Sequence, residues 1–326
     1  MQFSQIANDF FAKQPVLVTG GAGFIGSHLT KQLASSGCTV KVIDDLSSGK
    51  LERLNGFDVE FIEGDILDDV AMSKAVDGCT TVFHLAAFVS VSNSVSRPDE
   101  CNRTNIDGTA SVVRHASKAR CNRIVFASSA ACYGTLPSVP SRENDELKPA
   151  SPYATSKVAG ESLIKELPDN LDGVSLRFFN VFGEGQYANS DYAAVVSAFL
   201  EAKASGNQPV IYGDGSQSRD FIHVSNIVHA CLLAGAETAP FHGKCLNVGT
   251  GQAMSINELA TVIFGDDVSP AYQPTRQGDV MHSLASIDAI QKALGFKCVT
   301  ESADALRAMI NPTQQSCCSH QSTQCK

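Results

Sequence analysis

A glycine-rich turn lies between a short apolar run and a helical pattern in VLVTGGAGFIGSHL, residues 16–29. The first residues of this stretch form the apolar run, which predicts a buried strand, and the helical pattern follows the glycines. Gly20, Gly23 and Gly26 have GxxGxxG spacing, and Gly21 adds a GxGxxG pattern. Glycines at such a turn let a dinucleotide pyrophosphate approach the backbone N–H groups at the helix N-terminus. The stretch therefore predicts a dinucleotide-binding strand, turn and helix.

An acidic residue follows at the position that a dinucleotide requires. Asp44 ends the next predicted strand, TVKVID, 18 positions after Gly26, where a carboxylate can hold the adenosine ribose diol. The same carboxylate repels a 2′-phosphate, so NAD is expected rather than NADP. Asp65 and Ile66, which follow the third predicted strand, are candidates for contacting adenine. A turn or helix cap is the alternative role of Asp65.

The first half of the chain repeats this alternation of strand and helix. Further strands are predicted at VEFIEGD, TTVFHLAA, RIVFASS and VSLRFFN, separated by helical segments such as 98–119 and 152–167. The alternation requires right-handed crossovers and a parallel sheet covered on both faces. We therefore predict an α/β fold: a doubly wound parallel (Rossmann) sheet over residues 12–180, with segments near 220–250 returning to it, and a smaller C-terminal substrate-binding lobe over 181–311.

Composition and charge exclude several classes of partner. The 326 residues are 43% hydrophobic and 18% charged, as in ordinary globular proteins. The net charge of -9 argues against nucleic acid or an anionic membrane as the main partner, because either requires a basic face. The N-terminal residues lack a signal-peptide pattern, and no apolar run reaches the roughly 18 residues of a membrane span. A cytoplasmic protein is expected.

Most of the eleven cysteines resemble core residues. Eight are scattered singly without CxxC spacing, several within apolar runs, where a thiol behaves as a small hydrophobe. Reduced thiols are therefore expected. The other three lie with His320 in residues 312–326, a Gln- and Ser-rich segment that is expected to be a disordered tail. Metal binding is the alternative for that cluster, but no metal site is predicted.

A tyrosine and a lysine lie one helical turn apart in SPYATSKVAGE, residues 151–161. The i, i+4 spacing places Tyr153 and Lys157 on one helix face. A tyrosine with its usual pKa near 10 is a poor base at neutral pH, but a nearby ammonium and the positive nicotinamide ring of NAD⁺ both favour the phenolate. The pair alone is a common coincidence; beside a dinucleotide site it indicates a reaction centre.

Several motifs together carry a resemblance to a known family. With the glycine turn, the segments FHLAA, FASSAACYG, SPYATSK and GDGSQSRDFIHV give a chain that resembles the extended short-chain dehydrogenase/reductases. Within them it is most similar to the NAD-dependent nucleotide-sugar C4-epimerases that act on UDP-glucose or UDP-N-acetylglucosamine. The match runs from about Pro15 to Phe296. The resemblance implies tightly bound NAD, a UDP-sugar substrate, a transient 4-keto sugar and a homodimer.

The resemblance assigns the chemistry to three residues. The family's YxxxK pair falls on Tyr153 and Lys157, and its catalytic serine or threonine falls on Ser129. Tyr153 would take the proton from the sugar O4 as hydride leaves C4, with Ser129 hydrogen-bonded to that oxygen and Lys157 holding the nicotinamide ribose. The implied cofactor contacts are Gly20, Gly23, Phe24, Ile25, Gly26, Asp44, Asp65, Ile66, Leu85, Ala86, Ala87, Asn105, Tyr153 and Lys157.

The resemblance also implies where the UDP-sugar binds. Asn180 would contact the nucleotide or its phosphates, and Tyr212 would pack near uracil. Two arginines suit a diphosphate, because their planar forks pair with its oxygens. The implied substrate contacts are Ser90, Ser129, Tyr153, Asn180, Tyr212, the diphosphate-binding Arg219 and Arg276, the ribose-binding Asp279, and Ser283.

Local features separate the subfamilies. Nucleotide-sugar dehydratases and decarboxylases carry an acid just after the catalytic serine or threonine, whereas Ala130 follows Ser129 here, which favours epimerisation. Ser283 stands where epimerases restricted to glucose and galactose have a tyrosine, so 2-acetamido sugars are expected to fit. Val89 and Phe179 depart from the commonest epimerase pattern near the sugar. A uronic-acid epimerase and a non-catalytic nucleotide-sugar binder stay open as alternatives.

Overall fold

The computed structural model describes residues 10–12, 14–135, 138–186, 195–275 and 280–310. Two of the expected substrate contacts, Arg276 and Asp279, lie outside the described residues, and so does the expected tail, 312–326.

A seven-stranded parallel sheet forms the centre of the molecule, in the order β11-β6-β5-β4-β1-β2-β3. The predicted α/β fold class is therefore confirmed. The strands are β1 Val16–Thr19, β2 Val40–Asp44, β3 Glu60–Glu63, β4 Thr81–His84, β5 Arg123–Ser129, β6 Asp172–Phe178, β7 Asn180–Phe182, β8 Val210–Tyr212, β9 Ser218–Arg219, β10 Phe221–His223, β11 Lys244–Val248, β12 Met254–Ser255, β13 Ala271–Gln273 and β14 His282–Ser283.

Helices cover both faces of this sheet because its strands are apolar on both sides. Val16 and Val18 pack in one cluster with Leu29, whereas Leu17, between them in the chain, packs in the other with Val112. The helices are α1 Phe24–Ser35, α2 Asp69–Val76, α3 Val91–Ser96, α4 Pro98–Asn102, α5 Gly108–Lys118, α6 Pro152–Lys165, α7 Val195–Ala204, α8 Val224–Ala236, α9 Ile256–Phe264, α10 Asp288–Leu294 and α11 Ser302–Ile310.

Shorter helical turns complete the secondary structure. Two 3₁₀ turns span Leu51–Leu54 and Ala130–Tyr133, and a π-helical turn, Arg103–Asp107, joins α4 to α5. The segment expected as one helix over 98–119 is therefore two α-helices with a π-helical turn between them. Such turns often occur at functional sites, and this one carries Asn105.

A smaller lobe packs around its own core. Its paired strands are β7 with β10, β9 with β12 and β14, and β8 with β13. Phe182, Phe199, Ile263 and Leu306 lie in its hydrophobic cluster. The chain also returns to the main sheet, because α8 packs on it and β11 pairs with β6.

Further features of the described residues concern membrane-spanning helices, metal clusters and cysteines. Within them, no helix has the length and apolar character needed to cross a membrane, and no three His, Cys, Asp or Glu side chains are grouped to hold a metal ion. The eight cysteines outside the tail are free thiols, six of them buried.

Candidate active site

The glycine turn connects β1 to α1 at the point where the strand order changes direction. Strands β2 and β3 lie on one side of β1, and β4 and β5 on the other, and ligands of such sheets bind at this crevice. Gly20 has φ +68, and a Cβ there would lie 2.7 Å from the Ala86 nitrogen. A Cβ on Gly26 would overlap the carbonyl oxygen of Gly20. The turn therefore requires glycine at both positions, and the open backbone suits a pyrophosphate.

Asp44 lies at the carboxyl end of β2 and is fastened to the same turn. Its Oδ2 accepts a hydrogen bond from the Ala22 N–H at 2.9 Å, and its Oδ1 accepts one from the Leu46 N–H at 2.9 Å. Burial raises the pKa of this carboxyl, and the two backbone donors oppose that rise. Each oxygen keeps further acceptor capacity, so the carboxylate fits the expected ribose contact.

The two residues expected near adenine lie after β3. The Oδ1 of Asp65 accepts a hydrogen bond from the Leu67 N–H at 2.9 Å, so Asp65 does form a turn, its alternative role. Ile66 is 4% exposed, and its Cδ1 lies where a Cβ on Gly108 would be. Its side chain is therefore part of the core; contact of either residue with adenine stays a prediction.

Asn105 organises the segment that follows β4. Its Oδ1 accepts from the Phe88 N–H at 2.7 Å, and its Nδ2 donates to the Phe88 carbonyl at 3.0 Å. Its Nδ2 also donates to the Ser156 Oγ on α6 at 2.9 Å. Leu85, Ala86 and the neighbouring Ala87 are half-buried beside it. These hydrogen bonds link the β4 loop to α6. Asn105 is 2% exposed, and its direct contact with the cofactor stays a prediction.

His84 is a buried residue of this site that the sequence analysis missed. The Thr109 hydroxyl donates its proton to the Asn105 carbonyl at 2.6 Å. Because that proton is used, the Thr109 Oγ1 can only accept from His84, whose Nε2–H lies at 3.0 Å. The unprotonated Nδ1 then accepts from the Thr19 hydroxyl at 2.8 Å, and Thr19 accepts from the Ala86 N–H at 3.2 Å. Burial lowers the pKa of His84 to about 3. A neutral histidine at the end of β4 therefore connects that strand to β1 and α5; a single histidine at the end of an apolar strand gave no sequence signal for this.

The Tyr/Lys pair begins helix α6. The Ser151 Oγ caps the helix by accepting from the Ala154 N–H at 3.1 Å, and Pro152 occupies the first turn. The Lys157 Nζ donates to the Ala127 carbonyl at 2.8 Å and lies 5.8 Å from the centre of the Tyr153 ring. Lys157 is 3% exposed. The expected pair is thus brought together against the end of β5.

Ser129 meets the pair from β5. It ends that strand, and its Oγ accepts from the Ala131 N–H at 3.1 Å. Burial raises the pKa of Tyr153 to about 12, while a hydrogen bond with Ser129 lowers it. Burial lowers the pKa of Lys157 to about 8. The protein alone therefore keeps Tyr153 a phenol at neutral pH, and a further positive charge is required to make it a base.

The expected substrate residues lie on separate elements around this centre. The Ser90 Oγ caps α3 by accepting from the Asn93 N–H at 3.1 Å. Asn180 begins β7 and donates its N–H to the Asp220 carbonyl at 3.1 Å. Arg219 and Ser283 are register partners in β9 and β14. Tyr212 ends β8 in the smaller lobe.

Comparisons with known proteins agree with this geometry. The model of the family described as "NAD dependent epimerase/dehydratase family" matches residues 16–249. A UDP-glucose 4-epimerase of Mycolicibacterium smegmatis is 38% identical to this chain, and the alignment covers 86% of this chain and 92% of that epimerase.

Two solved structures are similar over 91% of this chain and 97% of theirs. One is a UDP-N-acetylglucosamine 4-epimerase from Methanobrevibacter ruminantium in complex with UDP-N-acetylmuramic acid, at 38% identity and TM-score 0.84. The other is a UDP-glucose 4-epimerase of Thermus thermophilus in complex with NAD, at 31% identity and TM-score 0.80.

Proposed function

The chain belongs to the NAD-dependent epimerase/dehydratase family, and from this premise we propose that it is an enzyme that interconverts the C4 epimers of a UDP-hexose. The observation that carries the proposal is the convergence of Ser129, Tyr153 and Lys157 at the edge of the sheet that also carries the glycine turn. Ala130 follows Ser129, so no acid stands where a dehydratase requires one.

The residues at the switch point fit NAD. The glycine turn leaves the N-terminus of α1 open to a pyrophosphate. Asp44, at the end of β2, accepts a hydrogen bond from that turn, and there its charge selects NAD over NADP. Bound NAD supplies a reversible hydride acceptor and a positive charge, so the overall reaction is redox-neutral.

The chain's own residues move the proton and orient the sugar. Tyr153 takes the proton from O4 as a carbonyl forms at C4, and returns it after the 4-keto sugar has turned its other face to the cofactor. Ser129 donates a hydrogen bond to the same oxygen. Lys157 holds the nicotinamide ribose, and its charge together with that of the cofactor lowers the pKa of Tyr153 from its high value.

The smaller lobe holds UDP in this proposal. Arg219 and Ser283 are register partners on neighbouring strands. This supports a site in which the arginine binds the diphosphate while the serine lies near the sugar. We assign the nucleotide to Asn180 and Tyr212, and by resemblance to Arg276 and Asp279. The boundary near residue 180 then separates a cofactor-binding region from a mainly substrate-binding one.

We propose that Ser283 admits a 2-acetamido group, so that UDP-GlcNAc and UDP-GalNAc are substrates as well as, or in preference to, UDP-Glc and UDP-Gal. Ser283→Tyr is expected to lower kcat/KM for the acetamido pair by at least 10-fold, about 1.4 kcal/mol, with little change for the other pair. Ser283→Ala is the matched control, since it keeps the space. An equal loss for both pairs would contradict the size argument.

We also infer a homodimer and a cytoplasmic location. Half-exposed residues at 106, 110, 113 and 117 follow one side of the π-helical turn and α5, and Ala159 and Leu163 lie on neighbouring α6. These small and apolar side chains suit close packing against a second copy. The free thiols suit a reducing compartment.

A substrate panel tests the proposed function. Purified protein is incubated with UDP-Glc, UDP-GlcNAc or UDP-GlcA without added NAD, and the products are separated by chromatography. Conversion of UDP-Glc or UDP-GlcNAc to its C4 epimer by retained NAD supports the proposal. Turnover of UDP-GlcA alone would identify a uronic-acid epimerase, and tight binding without product would identify a non-catalytic binder.

A further inference from the structure

A buried ion pair lies directly beneath the proposed reaction centre. Glu161 is on α6, one turn after Lys157, and Arg177 is on β6. The Arg177 Nε donates to the Glu161 Oε1 at 2.8 Å, and its Nη2 donates to Oε2 at 2.7 Å. The two side chains are only 4% and 7% exposed. This bidentate geometry fixes both charges in a place that water does not reach.

The pair is bonded to the strand end that carries Ser129. The preceding residue, Ser128, donates its hydroxyl to the Glu161 Oε1 at 2.5 Å and is the register partner of Arg177. The Arg177 Nη1 donates to the Tyr133 hydroxyl at 2.9 Å, and Tyr133 closes the 3₁₀ turn that Ser129 caps. Both ends of the turn holding Ser129 are therefore tied to one ion pair.

The same pair supplies a negative charge beside Lys157. Burial lowers the pKa of Lys157 to about 8, and the charges of Cys132, Cys101 and Glu161 raise it. The pKa of Cys132 is itself about 11, so its thiol is neutral when Lys157 titrates. Glu161 is the carboxylate on the same helix face as Lys157, at the i, i+4 spacing where helix side chains meet, and its pairing with Arg177 fixes its position.

The other side chains near the ammonium, among the described residues, include no carboxylate. They are Tyr153 on α6, Cys101 on α4, Cys132 in the 3₁₀ turn, His84 on β4 and, behind Glu161, Arg177 on β6. Tyr153 is a phenol and His84 a neutral imidazole at the pH values concerned.

We propose that the Glu161–Arg177 ion pair is a positioning element of the active site: it holds the turn that carries Ser129 and keeps Lys157 cationic beside Tyr153. The proposal rests on the proposed function, since it concerns the protonation of that centre. Arg177 is needed because a buried charge without a partner is strongly destabilising. Through Glu161 the pair raises the upper pH limit of the site, above which Lys157 loses its charge.

A second ion pair on the same two strands provides a matched control. Arg123 and Asp172 begin β5 and β6 and are register partners; the Arg123 Nη2 donates to the Asp172 Oδ2 at 2.8 Å. That pair binds the segment after α8 through the Ala239 carbonyl and lies at the end of the sheet away from Ser129. It should affect stability without affecting Lys157.

The direct test measures the pKa of Lys157 by an NMR titration of its side-chain carbon signals. The Lys157→Met variant assigns those signals, because they are absent from its spectrum. Removing the carboxylate in Glu161→Gln should lower this pKa by roughly 1 unit, a tenfold change in the ionisation equilibrium. Glu161→Asp keeps the charge and should keep the pKa. In Glu161→Gln/Arg177→Met the arginine charge is removed as well, so the pKa should lie between that of Glu161→Gln and that of the wild type. Asp172→Asn should leave it unchanged.

Two results of this titration would overturn the proposed role of the ion pair. An unchanged Lys157 pKa in folded Glu161→Gln, or a double variant shifted as far as the single one, would overturn the proposal. If Glu161→Gln does not fold, the neutral double variant still decides: a Lys157 pKa equal to or above that of wild type would overturn the proposal, because the pair would then have no net effect on Lys157. The NMR titration needs no turnover, so it is separate from the test of epimerisation. Where turnover is seen, the alkaline limb of kcat should move with the Lys157 pKa.

Discussion

Tyr153 and Lys157 show how burial and charge oppose each other within one helical turn. Burial raises the pKa of the tyrosine to about 12 and lowers that of the lysine to about 8, so burial shifts both side chains toward their neutral forms, although the lysine is still mostly protonated at neutral pH. The hydrogen bond from Ser129 and the charge of the lysine act in the other direction. In the proposed mechanism, Tyr153 therefore becomes a base only when the cofactor adds its positive charge.

Tyr153→Phe should abolish most of the turnover and keep substrate binding. The phenyl ring preserves the packing but removes the oxygen that exchanges a proton with O4, so kcat should fall by about 10²–10⁴-fold. Kd for the UDP-sugar, measured by calorimetry, should change little. Tyr272→Phe is the control, because Tyr272 is 55% exposed. Full activity in Tyr153→Phe would contradict the mechanism.

His84 should make the fold less stable in acid. Its folded pKa of about 3 lies below the usual value near 6.5, so its contribution is fully present above pH 6.5 and is lost as the pH falls toward 3. The free energy of unfolding should lose about 1.4 kcal/mol for each pH unit in that window.

Comparison with His84→Asn isolates this effect from other titrating groups. The variant has no imidazole, so the stability difference between wild type and His84→Asn, measured by urea unfolding, should narrow as the pH falls. A constant difference would show that His84 does not stay neutral in the folded protein.

At the scale of elements, the glycine turn sets the approach of α1 to β1. A side chain on Gly26 would meet the carbonyl oxygen of Gly20, which is backbone and cannot move aside. The helix would shift, and its N–H groups would no longer face a pyrophosphate. The turn therefore couples packing to cofactor binding.

Gly26→Ala should cost roughly 1–3 kcal/mol of stability and release NAD. Urea unfolding and an assay of NAD in the purified protein measure the two effects. Gly37→Asn is the control at the other end of α1: Gly37 has φ +76, a Cβ there would meet nothing within 4 Å, and asparagine tolerates that conformation. Retained NAD in Gly26→Ala would contradict this account of the turn.

At the scale of the whole molecule, the order of strands brings together residues that are far apart in the chain. The switch from β1 to β4 places the glycine turn beside the loop after β4. Strand β5 and helix α6 then bring Ser129 to Tyr153. The return of β11 to the sheet ties the smaller lobe to the same scaffold.

The proposed dimer gives a prediction at this scale. Ala110→Glu places a charge on the half-exposed side of α5 and should convert a dimer to a monomer, measured as the molar mass by light scattering. Ala198→Glu is the matched control, because Ala198 is exposed on α7, away from that side. Equal masses for wild type and Ala110→Glu would contradict the proposed interface.

Local sequence patterns were sufficient to predict the parallel α/β fold and the Tyr153/Lys157 pair of the proposed reaction centre. Periodicity and glycine spacing depend on neighbours in the chain, so the strands, the turn at Gly20 and Gly26, and the Tyr153/Lys157 face could be predicted. Ser129 and the substrate residues required the resemblance, since no local pattern marks them.

Which buried groups are hydrogen-bonded to each other depends on tertiary contacts that no local sequence pattern encodes. Asn105 holds the Phe88 backbone, His84 joins three elements, and Glu161 pairs with Arg177 beneath the site. These contacts join residues that are 16 or more positions apart. They depend on strand order and on a π-helical turn, neither of which is encoded in short-range spacing, and burial then determines the pKa of each group.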